Sequence, residues 1–149
     1  MTSELFVGIW RLVSYELRRA DGRVTYPMGK DAVGYIMYND IGYMSVVIMA
    51  ASRPEFSAEV AQAGTDAEKV KAFDTYLSYC GKYEVKGAKV IHRVEISFYP
   101  NWVGTDLERT FEFEGDKLTL SAPTSSRFGA QYTARLVWQR VKTNETGKT

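Results

Sequence analysis

The chain holds one cysteine and one histidine in 149 residues. The lone Cys80 excludes an internal disulfide, which fits a reducing compartment. One imidazole and one thiolate cannot assemble the usual zinc or iron sites. No glycine-rich loop of dinucleotide or P-loop form is present, and no Gly-x-Ser-x-Gly elbow. Ser97 therefore has no nucleophile context, and any catalysis would be cofactor-free acid–base or electrostatic chemistry. No cofactor and no metal are expected. The charges nearly cancel, 19 basic against 18 acidic residues, net +1. That balance argues against a nucleic-acid surface and offers no polybasic face to a membrane. No apolar run reaches membrane-spanning length, and Met1 to Val7 lacks the pattern of a signal peptide. The expectation is a soluble, cytoplasmic protein without membrane or nucleic-acid partners.

What is present is β-rich. Hydrophobic residues make up 45% and charged residues 25%, a balance that suits a single packed core. Asp21-Gly22, Asn39-Asp40-Ile41-Gly42, Lys86-Gly87 and Glu114-Gly115-Asp116 read as hairpin turns between alternating runs. The strands predicted around them are 9–18, 23–26, 33–38, 43–49, 82–85, 89–98, 107–113, 117–121 and 132–141. Pro27, Pro54, Pro100 and Pro123 fall outside their interiors. Thr65-Asp66-Ala67-Glu68 reads as a capping box. Val70, Phe73, Tyr76, Leu77 and Cys80 follow at helical spacing, with Gly81 as a stop. This inserted helix would cover the barrel or act as a lid. Residues 1–142 are expected to form one antiparallel barrel of about eight strands, with a flexible polar tail over 143–149.

The ends of the chain echo each other. Gly8-Ile9-Trp10 opens the first strand, and Leu136-Val137-Trp138-Gln139-Arg140 closes the last. If those strands are neighbours the sheet closes, with Trp10 plugging one end and Arg140 stacked on its ring. A closed sheet with one plugged end is a cup for small molecules.

Two stretches carry the unusual polar residues. Strand alternation over 90–98 puts Val90, His92, Val94, Ile96 and Phe98 on the inner face, and Glu95 and Ser97 on the other. His92 would then stand inside, as a proton donor or acceptor or as a hydrogen-bonded core residue. Over 107–113, Arg109 shares the inner face with Leu107, Phe111 and Phe113. It needs a partner there, either a protein carboxylate or a ligand oxygen. Glu95 could reach it only through a bulge. Tyr35, Tyr38, Tyr43, Tyr76, Tyr79, Tyr83 and Trp102 supply rings for a mouth that favours a flat, partly oxygenated ligand.

The chain resembles the bacterial and fungal lipocalin-like domain family, small barrels of the calycin group. The resemblance rests on 8–14, 26–35 and 42–46, on 72–76 with Gly81-Lys82-Tyr83, and on His92-Arg93-Val94-Glu95. Pro100-Asn101-Trp102-Val103-Gly104, Arg109 and 136–138 complete it. It implies an eight-stranded lipocalin-like barrel with one inserted helix. It also implies a ligand binder, or an accessory protein of secondary metabolism, where some such barrels act as cyclases or isomerases. The expected catalytic residues are His92, Glu95 and Arg109. The expected ligand-binding residues are Tyr35, Tyr43, Tyr76, Tyr83, Ser97, Asn101, Trp102 and Arg109. Three functions compete: a small-molecule binder, a cofactor-free cyclase or isomerase of polyketide-like or aromatic substrates, and a packing or homodimerisation module with a filled interior.

Overall fold

The computed structural model describes residues 2–125 and 131–142. The polar tail expected over 143–149 lies outside them. A five-residue helix, α1 (Thr2–Phe6), leads into strand β1 (Gly8–Arg19). The two-residue strand β2 (Val24–Thr25) pairs with the end of β1. Then come β3 (Val33–Tyr38), β4 (Tyr43–Met49), helix α2 (Asp66–Asp74) and β5 (Tyr76–Lys86). Strands β6 (Lys89–Ser97), β7 (Asp106–Glu114), β8 (Lys117–Ser125) and β9 (Gln131–Arg140) complete the chain. Every pairing is antiparallel, and β9 returns to β1, with Trp10 opposite Arg140. Setting β2 aside, eight strands close the barrel, as expected.

The alternation that specifies each strand is visible in its burial. In β4, Met44, Val46 and Ile48 face the core while Tyr43, Val47 and Met49 face out. Two bulges change the phase. In β1 the register slips at Val13, since Leu12 pairs with Trp138 and Ser14 with Val137. Trp10 and Leu12 point inward before the slip, and Tyr15 and Leu17 after it. In β6 the extra residue is Glu95, because Val94 pairs with Gly81 and Ile96 with Cys80. Gly81 is required there, since a Cβ would collide with the Arg93 carbonyl.

Three expectations need correction. The inserted helix begins at its capping box, with Thr65 Oγ1 accepting from Glu68 N and Glu68 returning a bond to Thr65 N. It ends at Asp74, so Tyr76, Leu77, Cys80 and Gly81 belong to β5. Their spacing fits a helix and a strand alike, and pairing with β4 decides between them. Ile96, expected inside, is 68% exposed because the Glu95 bulge turns it out. Pro123 lies within β8, opposite Thr133. Beyond Ser121 that strand pairs only with β9, so a residue without an N–H is tolerated as at an edge.

One end of the barrel is stoppered. Phe6, delivered by α1, is fully buried, with its ring within 5.0 Å of those of Tyr38, Phe111 and Phe113. Trp10 is also fully buried and donates its indole N–H to the Phe6 carbonyl at 2.9 Å. Arg140 caps it, its Cζ 4.2 Å from the Trp10 ring centroid. The same guanidinium donates to the carbonyls of Val7 (2.8 Å) and Leu5 (2.7 Å). Gly8 makes this approach possible: its φ is +137°, and a Cβ there would stand 2.8 Å from Arg140 Nη1. Among the described residues no helix is long and apolar enough to cross a membrane.

Candidate ligand cavity

Above the stopper the barrel is hollow. A cavity of about 460 Å³ runs up its axis, within the range of small-molecule sites. Its wall is mostly aliphatic, with Ile36, Val46, Ile48, Leu120 and Leu136 facing the void from four strands. The filled interior expected of a pure packing module is not found.

The polar groups gather beside the stopper. His92 is 1% exposed and lines the cavity. Its Nε2 stands 2.7 Å from Tyr38 Oη and its Nδ1 2.7 Å from Tyr79 Oη. Burial, with the charge of Arg109 adding to it, lowers the His92 pKa to about 3. The ring is therefore neutral at physiological pH. Burial likewise raises Tyr38 well above the usual phenol value, and raises Tyr79 and Tyr15. Arg109 opposes part of that shift in all three, which puts its guanidinium at the polar pole of the cavity. Arg109 also lines the void and donates to the Glu108 carbonyl at 3.1 Å. Among the described residues no carboxylate forms an ion pair with it. Trp138 is fully buried, lines the cavity, and carries an indole N–H without a hydrogen-bond partner among the described residues.

The residues singled out in the sequence divide by position. His92, Arg109 and Trp102 come together on the cavity. Glu95 is exposed on the bulge rather than facing Arg109, because the bulge displaces its neighbours and leaves it outside. Tyr35 and Tyr43 lie on the outer face. Arg11 bonds the Tyr35 hydroxyl at 2.8 Å, and Lys82 lies over the Tyr43 ring. Their alternation partners Ile36 and Met44 take the inner positions. Tyr76 holds Arg53 over its ring at 5.4 Å and does not reach the void. Tyr83 belongs to the stopper, its ring 4.8 Å from Tyr38 and its hydroxyl bonded to the Asn39 carbonyl. Ser97 does sit on the inward side, opposite Tyr79, but its hydroxyl accepts from Tyr99 N at 3.0 Å outside the cavity lining. Asn101 is exposed in the turn that carries Trp102 inward.

Two cavity phenols were not among the expected ligand-binding residues: Tyr79, named only among the rings of the mouth, and Tyr15, not named at all. Tyr79 was hidden by the helix-like spacing, Tyr15 by the slip at Val13. The usable signal for Tyr79 was pairing: it stands opposite the inward Val46, which fixes its face.

Comparison with known proteins agrees with this architecture. A 4'-hydroxy-3'-methoxypropiophenone carrier protein from Aspergillus oryzae is 38% identical over 86 residues, covering 52% of this chain and 78% of that protein. The sequence profile of the lipocalin-like domain matches residues 7–141, nearly all of the barrel. The chain belongs to the lipocalin-like domain family.

Proposed function

We propose that this protein is a carrier that holds a small, mostly apolar, partly oxygenated molecule, aromatic or polyketide-like, inside its barrel. The observation that carries the reading is the cavity of about 460 Å³, mostly aliphatic along its wall, with His92, Tyr79 and Arg109 among its few polar groups. An aromatic body would gain from desolvation against the wall, and its oxygen would find the polar pole. The carrier relative supports an aromatic ligand. The lone cysteine fits a reducing, cytoplasmic setting.

A second reading, a cofactor-free cyclase or isomerase, is favoured by one observation: His92 and a phenol hydrogen-bonded to it share the cavity. His92 would move a proton and Arg109 would stabilise an enolate. Proton affinities weigh against it. An imidazole with a pKa near 3 is a weak base at neutrality, and Tyr79 is a weaker acid than free phenol.

Native mass spectrometry of protein purified from its own host tests the carrier reading directly. A co-purifying aromatic or polyketide-like molecule, released unchanged, supports it. Catalytic conversion of that molecule, lost about a hundredfold or more in His92→Gln, would replace it with the enzyme reading.

A further inference from the structure

We propose that Tyr79, with Arg109, forms a donor-only pocket for a carbonyl oxygen of the ligand, primed by a fixed tautomer of His92. The inference rests on the carrier reading above and names the group that the cavity recognises.

The hydrogens available at His92 fix the direction of each bond. A neutral imidazole has one N–H and one bare nitrogen. Each ring nitrogen of His92 faces a phenol at 2.7 Å, so one tyrosine donates to the ring and the other accepts from it. The two tyrosines are not equivalent. Tyr38 is 2% exposed, is walled by the rings of Phe6 and Tyr83, and does not line the cavity. Its hydroxyl has no other hydrogen-bond partner among the described residues. Were Tyr38 the acceptor, its own hydrogen would be buried unpaired, which is costly. Tyr38 therefore donates to Nε2, and the ring hydrogen sits on Nδ1. Nδ1–H then donates to Tyr79 Oη. Arg109, the other group acting on that hydroxyl, is also a donor. Tyr79 is left with its own O–H unspent, at the cavity wall.

The neighbours repeat this polarity. Trp138, within the same wall, holds a buried indole N–H that can only donate and has no partner among the described residues. Arg109 brings guanidinium N–H groups without a carboxylate. Tyr15 on the same lining carries a hydroxyl that can donate as well. A ligand hydroxyl would bring one more hydrogen to a place already crowded with them. A carbonyl oxygen has two lone pairs and no hydrogen, and it fits an otherwise apolar cavity as a neutral group.

The test has two parts. In the free protein, long-range 15N–1H correlation spectra should show His92 protonated on Nδ1 and bare on Nε2, unchanged from about pH 5 to pH 9. A proton on Nε2, or a ring charged in that range, overturns the proposal. Calorimetric titration then compares 4'-methoxypropiophenone with 4-propylanisole, two uncharged molecules that differ only in the carbonyl. The ketone should bind about tenfold more tightly, and Tyr79→Phe should reduce that preference to about threefold or less. Equal binding of the pair overturns the carbonyl site while leaving the carrier reading in place. Binding of neither overturns both.

Discussion

Trp10 with Arg140 at the stopper, and Trp138 with Arg109 on the cavity, are the same residue types under opposite hydrogen-bond accounts. Trp10 gives its N–H to the Phe6 carbonyl, and Arg140 serves two carbonyls and stacks on the Trp10 ring. Asp116 lies 3.7 Å from the Arg140 Nε, and the result is a closed stopper. Trp138 is as deeply buried, yet its N–H has no partner among the described residues. Arg109 has one carbonyl, acts on the Tyr79 hydroxyl, and has no carboxylate among the described residues. A fold that satisfies one pair so fully and leaves the other unsatisfied has assigned one to stability and the other to something outside the chain.

The largest expected effect separates the two tryptophans. Trp10→Ala should destabilise the protein by about 3–5 kcal/mol, since it removes a fully buried ring and the anchor of α1. Trp138→Phe should cost within about 1 kcal/mol, because it removes an N–H that has no partner and keeps an aromatic ring. Urea denaturation of both variants measures the contrast, and equal losses would erase it.

The next effect is acid sensitivity. Folded His92 stays neutral down to about pH 3, while the unfolded residue takes a proton near pH 6.5. Between those values the unfolded state binds more protons, so stability falls as the pH drops. Tyr38, Tyr79 and Arg109 surround the ring, and none offers it a negative charge. From pH 7 to pH 4 the loss attributable to His92 is about 3 kcal/mol. Denaturation at the two pH values should therefore show a shallower loss, by that amount, in His92→Gln. Identical losses would mean that His92 is not buried uncharged.

The smallest effect separates the arginines. Arg140→Ala should lower stability by about 1–2 kcal/mol through its carbonyl bonds and ring contact. Arg109→Ala should change stability by less than that and instead weaken ligand binding, read by calorimetry. The reverse pattern would interchange the roles of the two ends.

Much of the barrel was legible. The runs 33–38 and 43–49 match their strands, the capping box at Thr65 starts α2, and the Trp10–Arg140 closure follows from the two chain ends. The site was legible in part, since strand alternation placed His92 and Arg109 inward. The phenols were less so. Tyr35 and Tyr38 stand on one strand with apolar neighbours on both faces, so period alone does not tell which face is core. Helix α1 is one turn long, too short to leave a period, yet it supplies the stopper.

By itself, then, the sequence determined an antiparallel closed barrel, through turn residues, alternation and the matched ends. It also determined that one imidazole and one guanidinium would be the polar cargo of the interior. The tertiary structure decided which phenols join them. A single extra residue, Val13 in β1 or Glu95 in β6, reverses every side chain beyond it. Where that residue lodges is set by the neighbouring strand, at Gly81 by the room left for the Arg93 carbonyl, and so by contacts far apart in the chain. The direction of each hydrogen bond at His92 was likewise settled by burial, because only enclosure makes an unpaired hydrogen on Tyr38 too costly to keep.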